Sequence, residues 1–405
     1  MRNITSESNI HDCTGCGMCA AICPTKAITI KLSKDGFYEP IVNHTTCIEC
    51  GKCMMTCYKY DQYYKKKSYK EDSKISAYSA QNYSSEELES ASSGAVSIEL
   101  MRCCINNGYK VLGVAYDYEK ERAVTKIAEN VEELEQFKGS KYFQSFTTEA
   151  FRKVVQDHSE QKYAIFGTPC QIYAFSKYAE YTKTYDKFLL VDIFCHGCPS
   201  FTLWEKYLDN IKNKYSVSKF NEIRFRSKSN TWHEFCFDFI KGAKKYTSSK
   251  YNDPFYEMFF ANDILNKACY NCIARGTVEK ADIRLGDFWG ARYDFDKKGV
   301  SAVAICSDKG RQFWKLVEDK FECEKVSFAE VIEEQSYGTT YEVDEKTRLE
   351  ALKILHSDDS FKNIVKKHKR LMSKSNRIKN SIKKILKLLP NQFYVKIKYT
   401  FHKMK

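Results

Sequence analysis

Between Cys13 and Cys57 the chain carries one cysteine spacing twice. Cys13, Cys16, Cys19 and Cys23 form a C-x2-C-x2-C-x3-C run, and Cys47, Cys50, Cys53 and Cys57 repeat it. Three thiolates at this spacing cap a cubane iron–sulfur cluster from a tight loop, while the fourth is carried by a turn to the neighbouring cluster. The expected assignment is therefore crossed: Cys13, Cys16, Cys19 and Cys57 around one 4Fe–4S cluster, Cys47, Cys50, Cys53 and Cys23 around the other. Gly15, Gly17 and Gly51 stand where a backbone wrapped round a cluster needs positive φ and close approach. A zinc ribbon would use cysteines in pairs, not four in eleven residues. A disulfide framework would need an oxidising compartment, and the opening Met-Arg-Asn-Ile-Thr-Ser lacks the apolar stretch of a secretory leader. Between the runs, residues 27–32 and 39–42 read as a hairpin about an Asp35-Gly36 turn. One departure from symmetry is that Pro24 follows the first run and Tyr58 the second.

Eighteen cysteines in such a chain predict a reducing cytoplasm and metal work. With 405 residues there is room for a small cluster domain and a larger globular one. No apolar run of about 18 residues occurs, so no membrane-spanning helix is expected. The net charge of +13 is uneven, because residues 361–405 hold fifteen Lys or Arg and no Asp or Glu. The expected organisation is a two-cluster, ferredoxin-like α+β domain over 1–60, a polar linker over 61–74, an α/β domain over 75–330, and a helical region with a basic tail over 331–405.

Within 75–330, Val111–Tyr116, Tyr163–Phe166 and Phe188–Ile193 read as buried strands, with helix at 149–156. Short apolar strands alternating with helices predict a mixed, mainly parallel sheet flanked by helices. Ligands of such sheets bind beyond the carboxyl ends of the strands. Gly167-Thr-Pro-Cys170 and Cys195-His-Gly197 fall there. Residues 222–226 and 233–240 alternate with period two and read as antiparallel strands, Gly299–Ile305 reads as a further strand, and helix is expected to dominate from Lys309 onward.

Seven segments in order then resemble the family of coenzyme F420 hydrogenase/dehydrogenase beta subunits: Ser92-Ser93-Gly94, Lys138–Tyr142, Gly167–Gln171, Asp192–Gly197, Cys269-x2-Cys272, Asp282–Gly290 and Gly299–Ser301. The resemblance covers about Met1 to Phe321 and implies FAD beside a 4Fe–4S centre, passing electrons to a two-electron acceptor such as a deazaflavin. Chemistry supports the pairing, since clusters move single electrons and a flavin converts between one- and two-electron transfer. It implies a phosphate contact at Ser92, Ser93 and Gly94 where a helix opens, although Ala95 stands where a second glycine is usual; an ordinary serine cap is the alternative. Lys141 would lie near the flavin or its phosphates, unless it is simply solvated. Thr168 and Gln171 are lesser candidates for flavin hydrogen bonds. Cys170, Cys195, Cys269 and Cys272 would hold a third 4Fe–4S cluster, with Cys198 a competing ligand and buried free thiols the alternative.

His196 and Asp287 are candidate proton donors, a role that requires hydrogen-bond reach of substrate; Asp282 and Asp287 equally suit buttressing of a turn. Cys103, Cys104, Cys236, Cys306 and Cys323 lack partners at ligand spacing and are expected in the core. Arg224-Phe-Arg226-Ser-Lys228 would attract an anionic substrate or form a solvated strand edge. In the tail, Ile378, Ile382, Ile385, Leu386, Leu388 and Leu389 lie among lysines at interfacial-helix spacing, ended by Pro390. This favours peripheral contact with anionic lipid over nucleic-acid binding. The reading is an iron–sulfur flavoprotein oxidoreductase fed by a ferredoxin or partner protein and reducing a small-molecule acceptor, or running in reverse. The rival is a subunit that only relays electrons.

Overall fold

The computed structural model describes residues 2–5, 12–60 and 75–371. The expected linker and the apolar-basic stripe at 378–389 lie outside the described residues. The N-terminal unit is built on β1 (Ile28–Leu32) and β2 (Tyr38–Val42), an antiparallel hairpin pairing Leu32 with Tyr38. Short helices at Met18–Ile22 and Lys52–Met55 follow the two glycine turns of the cysteine runs. Ile4, Ala20, Ile28, Cys19 and Cys53 form its small core.

An eight-stranded sheet dominates the rest, in the order β13-β3-β12-β11-β7-β6-β4-β5. These are β3 (Ser76–Asn82), β4 (Tyr109–Asp117), β5 (Arg122–Ala128), β6 (Lys162–Phe166), β7 (Phe188–Ile193), β11 (Ile283–Asp287), β12 (Ser301–Ile305) and β13 (Phe321–Val326). The central β4, β6, β7 and β11 run parallel. Antiparallel β5 closes one side, and β12, β3 and β13 extend the other. The fold is the expected mixed α/β arrangement with helices on both faces. Central strands such as Phe188–Ile193 are apolar because both faces are covered.

Helix dominates from Lys309 to Leu371, as expected, with one strand among the helices. Asp308–Lys315 is helical, but Phe321–Val326 is an edge strand, where only one flank must pair and the charged Glu322, Glu324 and Lys325 remain exposed. That placement corrects the expected burial of Cys323, which is exposed; Cys103 and Cys306 are half-buried, while Cys104 and Cys236 are in the core. A second sheet joins β8 (Glu222–Ser227), β9 (Cys236–Lys241) and β10 (Lys244–Ser249), all antiparallel; alternation predicts the first two, and β10 is an addition. Phe225, Phe237 and Phe239 on it pack with Trp204, Tyr207, Phe255 and Tyr256 into an aromatic core. Helices Glu345–His356 and Phe361–Leu371 lie on that core through Leu352, Leu355, Phe361 and Ile364.

Candidate functional site

The N-terminal unit docks on the carboxyl side of the main sheet by buried hydrogen bonds. Gln144 accepts from the Tyr38 N–H and donates to the Thr14 carbonyl; the Thr147 hydroxyl donates to the Cys16 carbonyl at 2.8 Å. Contact is close enough that a Cβ built on Gly17 (φ 81°) would lie 2.2 Å from Thr147 Oγ1. On the far side, Ser200 donates to the Asp35 carbonyl at the hairpin turn.

The two cysteine runs line two cavities. One is walled by Cys13, Cys16, Cys19 and Cys57 with Tyr58 and Ile30. The other is walled by Cys23, Cys47, Cys50 and Cys53 with Ile28 and Ile48. The fourth cysteine of each run has thus crossed to the other's cavity. Burial holds the thiols of Cys16 and Cys19 well up, reinforced by neighbouring thiols, and raises Cys57 to about 12. The second cavity lies further out: Cys50 is exposed and Ile48 beside it is 64% exposed. Among the described residues no group of three or more His, Cys, Asp or Glu side chains is spaced for a single metal ion; the thiols face one another across cavities instead.

A third group of thiols lies beyond the ends of β6 and β7. Cys170 is in the first turn of helix Pro169–Thr182, Cys195 follows β7, Cys269 lies in the short helix Lys267–Tyr270, and Cys272 caps the 3-10 turn Ile273–Gly276. Cys198 belongs to the same group, since it feels Cys269, Cys195, Cys170 and Cys272 together. Burial raises Cys170 to about 12 and Cys195 to about 11, and neighbouring thiols add to both. Crowded buried thiolates need a compensating cation. Arg275 and Arg284 supply part of it at Cys195, and both are anchored. Arg284 grips Asp192 through Nε at 2.7 Å and Nη2 at 2.5 Å, and Arg275 donates to the carbonyls of His196 and Cys269.

This third group adjoins the first cavity. Tyr58 lines that cavity and packs with Cys170 and Cys272. It accounts for the asymmetry of the two runs: fully buried, it stacks on Tyr173 at 5.1 Å. A proline there would lack the ring that fills this contact.

The other anticipated residues are placed differently. Helix Val96–Asn106 opens at Ala95 in the left-handed region (φ 64°) and has no serine cap. Ser93 donates to the Val300 carbonyl and the Gly94 N–H donates to Ser301, so both are tied to β12 and its approach. Ser92 accepts from the Ser140 N–H. Lys141 is neither solvated nor aimed at an open site: its ammonium faces the carbonyls of Val114, Gln136, Phe137 and Lys138, and burial lowers its pKa to about 7. Gln171 accepts from the Thr168 N–H as half of a capping box and donates to Ser145. The Thr168 hydroxyl lies 3.2 Å from Cys170 Sγ.

His196 has both ring nitrogens engaged, Nε2 with Asn262 at 2.6 Å and Nδ1 with Tyr341 at 3.0 Å. Burial lowers its pKa to about 4, and the ring lies between Phe259 and Tyr341. Asp287 is ion-paired with Arg226 and accepts from Trp232 Nε1 at 2.7 Å. Asp282 likewise accepts from the Leu190 N–H and from Ser307.

Arg226 itself was legible only as part of a basic stretch. It is not on a solvated edge. A register break between Arg224 and Ser227 turns its side chain inward, where its guanidinium carbon lies 4.3 Å from the Phe235 ring centroid and 5.0 Å from that of Trp289. Lys228 donates to the carbonyls of Leu88 and Ser93, and burial lowers its pKa to about 8.

Residues 160–330 match the family model for the C terminus of the coenzyme F420 hydrogenase/dehydrogenase beta subunit, and residues 12–60 match that of the 4Fe-4S dicluster domain. One component of the F(420)H(2) dehydrogenase of Methanosarcina mazei is 25% identical over 174 residues, covering 40% of this chain and 48% of that protein. The chain thus spans about half the length of the curated relative it matches. A chain of the F420-reducing NiFe hydrogenase complex from Methanosarcina barkeri, solved with xenon derivatization, aligns at 18% identity and a TM-score of 0.43, over 73% of this chain and 89% of that one. No described helix is long and apolar enough to cross a membrane.

Proposed function

We propose that this chain, which matches the 4Fe-4S dicluster model over residues 12–60 and the C-terminal model of the coenzyme F420 hydrogenase/dehydrogenase beta subunit over residues 160–330, is a cytoplasmic iron–sulfur flavoprotein oxidoreductase. Its redox partner would be a ferredoxin or a companion subunit, and its second substrate a small two-electron acceptor, a deazaflavin or another organic molecule. Bound clusters would supply one-electron transfer and FAD the conversion to two-electron chemistry.

The observation that carries the reading is the place of Tyr58, which lines the first thiol cavity and packs with Cys170 and Cys272 of the third thiol group. It sets one thiol-lined cavity directly against the third thiol group. Cys13, Cys16, Cys19 and Cys57 would hold the inner dicluster centre, and Cys23, Cys47, Cys50 and Cys53 the outer one, which the exposed Cys50 and Ile48 leave open to a protein partner. Four of Cys170, Cys195, Cys198, Cys269 and Cys272 would hold a third. Arg275 and Arg284 offset the thiolate charge there, while Tyr58, Tyr173 and Ala274 keep water away. Gly94, Lys141 and Gln171 direct their polar groups to other protein groups, so an FAD would meet them at most through their outer atoms.

The test is iron, labile sulfide and released flavin per chain on protein purified without oxygen. About twelve irons and one FAD are expected. About eight irons with FAD would remove the third cluster and keep the enzyme. No flavin, even after reconstitution, would overturn the flavoprotein reading in favour of an electron relay.

A further inference from the structure

We propose that Arg226 forms an oxyanion subsite for the phosphate or carboxylate of a ring-bearing redox ligand. The proposal rests on the oxidoreductase reading above and adds the ligand chemistry its large domain would recognise. A guanidinium carries five N–H donors in a planar fork. In Arg226, whose side chain is 4% exposed, Nη1 serves Asp287 and the Tyr142 hydroxyl at 3.4 Å. Nε and Nη2 are buried with no hydrogen-bond partner among the described residues. Elsewhere among those residues, each arginine in this condition has it at Nε alone. Two adjacent unpaired nitrogens of one fork present parallel donors, the arrangement that binds a carboxylate or phosphate through two oxygens.

The surroundings match such a ligand. Asp287, the nearest carboxylate, is already held by Arg226 and Trp232 and neutralises only one charge. Lys228 senses Asp287, Arg226 and Asp296, and the Lys250 ammonium lies 4.5 Å from the Phe235 centroid and 5.7 Å from that of Trp289, so two further cations stand near the fork. Trp289 stacks on Trp232 at 5.1 Å and lies against the Arg226 guanidinium, so its ring bounds the fork on one side. Beside it Gly290, at φ 132°, has nothing within 4 Å of where a Cβ would stand, so there is open space next to Trp289. The location also suits electron transfer. Tyr142 packs on Phe259 at 5.6 Å and Phe259 on His196 at 5.1 Å, one residue from Cys195.

The experiment titrates the flavin-free chain, purified without oxygen, with inorganic phosphate and then pyrophosphate, following tryptophan fluorescence and thermal midpoint. Saturable binding is expected, weakened at least about ten-fold in Arg226→Gln, roughly the loss of one charge-assisted hydrogen bond, and unchanged in Arg224→Gln, whose side chain is exposed on the same strand. If Arg226→Gln does not fold, Arg226→Lys retains the charge and loses the fork, and weakening in that variant carries the same weight. A second arm identifies the source of the anion. Weaker FAD binding with unchanged riboflavin binding in the variant assigns it to the flavin nucleotide. Weaker phosphate binding with both flavins unchanged assigns it to the acceptor. Absent or unsaturable phosphate binding, or equal binding in wild type and both Arg226 variants, would overturn the subsite. Because no iron or flavin is needed for the first arm, its failure is separable from failure of the flavoprotein reading.

Discussion

Lys141 and Arg284 show two ways in which this chain buries a cation. The first relies on carbonyl dipoles, the second on a carboxylate held in two bonds. For Lys141 the folded pKa of about 7 lies below the unfolded value of about 10.4. The unfolded chain therefore binds more protons between those values, and stability rises with pH across that window. Wild type is expected to gain stability relative to Lys141→Met from pH 7 to pH 10 in urea denaturation; parallel curves would refute the burial of this ammonium. Asp192→Asn should act more severely. It leaves Arg284 buried without its counter-charge, and removing one partner of a buried pair costs about 3–5 kcal/mol. The midpoint of anaerobic denaturation should fall accordingly, and an unchanged midpoint would show that the pair is not a structural anchor.

At the level of elements, β8 and the helix Phe361–Leu371 were read incompletely for different reasons. The alternation of residues 222–226 announces a strand, but the bulge that sends Arg226 inward depends on its partner β9 and on the aromatic neighbours it meets. The helix lies where the basic tail begins, and its charges suggest a solvated segment. Its other face buries Phe361, Ile364 and His368, the last bonded to Asp263 at 2.8 Å. Ile364→Ala should thus destabilise the chain by about 2–4 kcal/mol through loss of transfer energy and a cavity. Lys362→Ala, on the exposed side, should change stability by less than about 0.5 kcal/mol. Equal effects in a denaturation comparison would mean that this helix does not pack on the aromatic core.

For the whole molecule, the decisive feature is the seat of the cysteine-rich unit against the large domain. A methyl group on Gly17 would meet Thr147 Oγ1, whereas one on Gly242, also at positive φ (57°), would meet nothing within 4 Å. Both substitutions by Ala carry the left-handed backbone penalty of about 1–2 kcal/mol, but only Gly17→Ala adds a collision across the seat. It should destabilise the protein by about 2 kcal/mol more than Gly242→Ala, with greater protease sensitivity between the two units. Equal losses would show that the two units do not bear on one another at this point.

Local spacing determined the two cysteine runs, the hairpin at Asp35-Gly36 and the strands Tyr163–Phe166 and Phe188–Ile193, because thiol spacing, a tight turn and an apolar run are properties of consecutive residues. Cys170, Cys195, Cys269 and Cys272 were also visible as a set, through their order along the chain. Only the tertiary structure decided that Cys198 joins them, that Tyr58 stacks on Tyr173, and that Lys141 turns to four carbonyls while Arg226 keeps two nitrogens unpaired. Each of these depends on which distant groups the fold brings alongside, and burial then fixes the charge and hydrogen bonding that a side chain can hold.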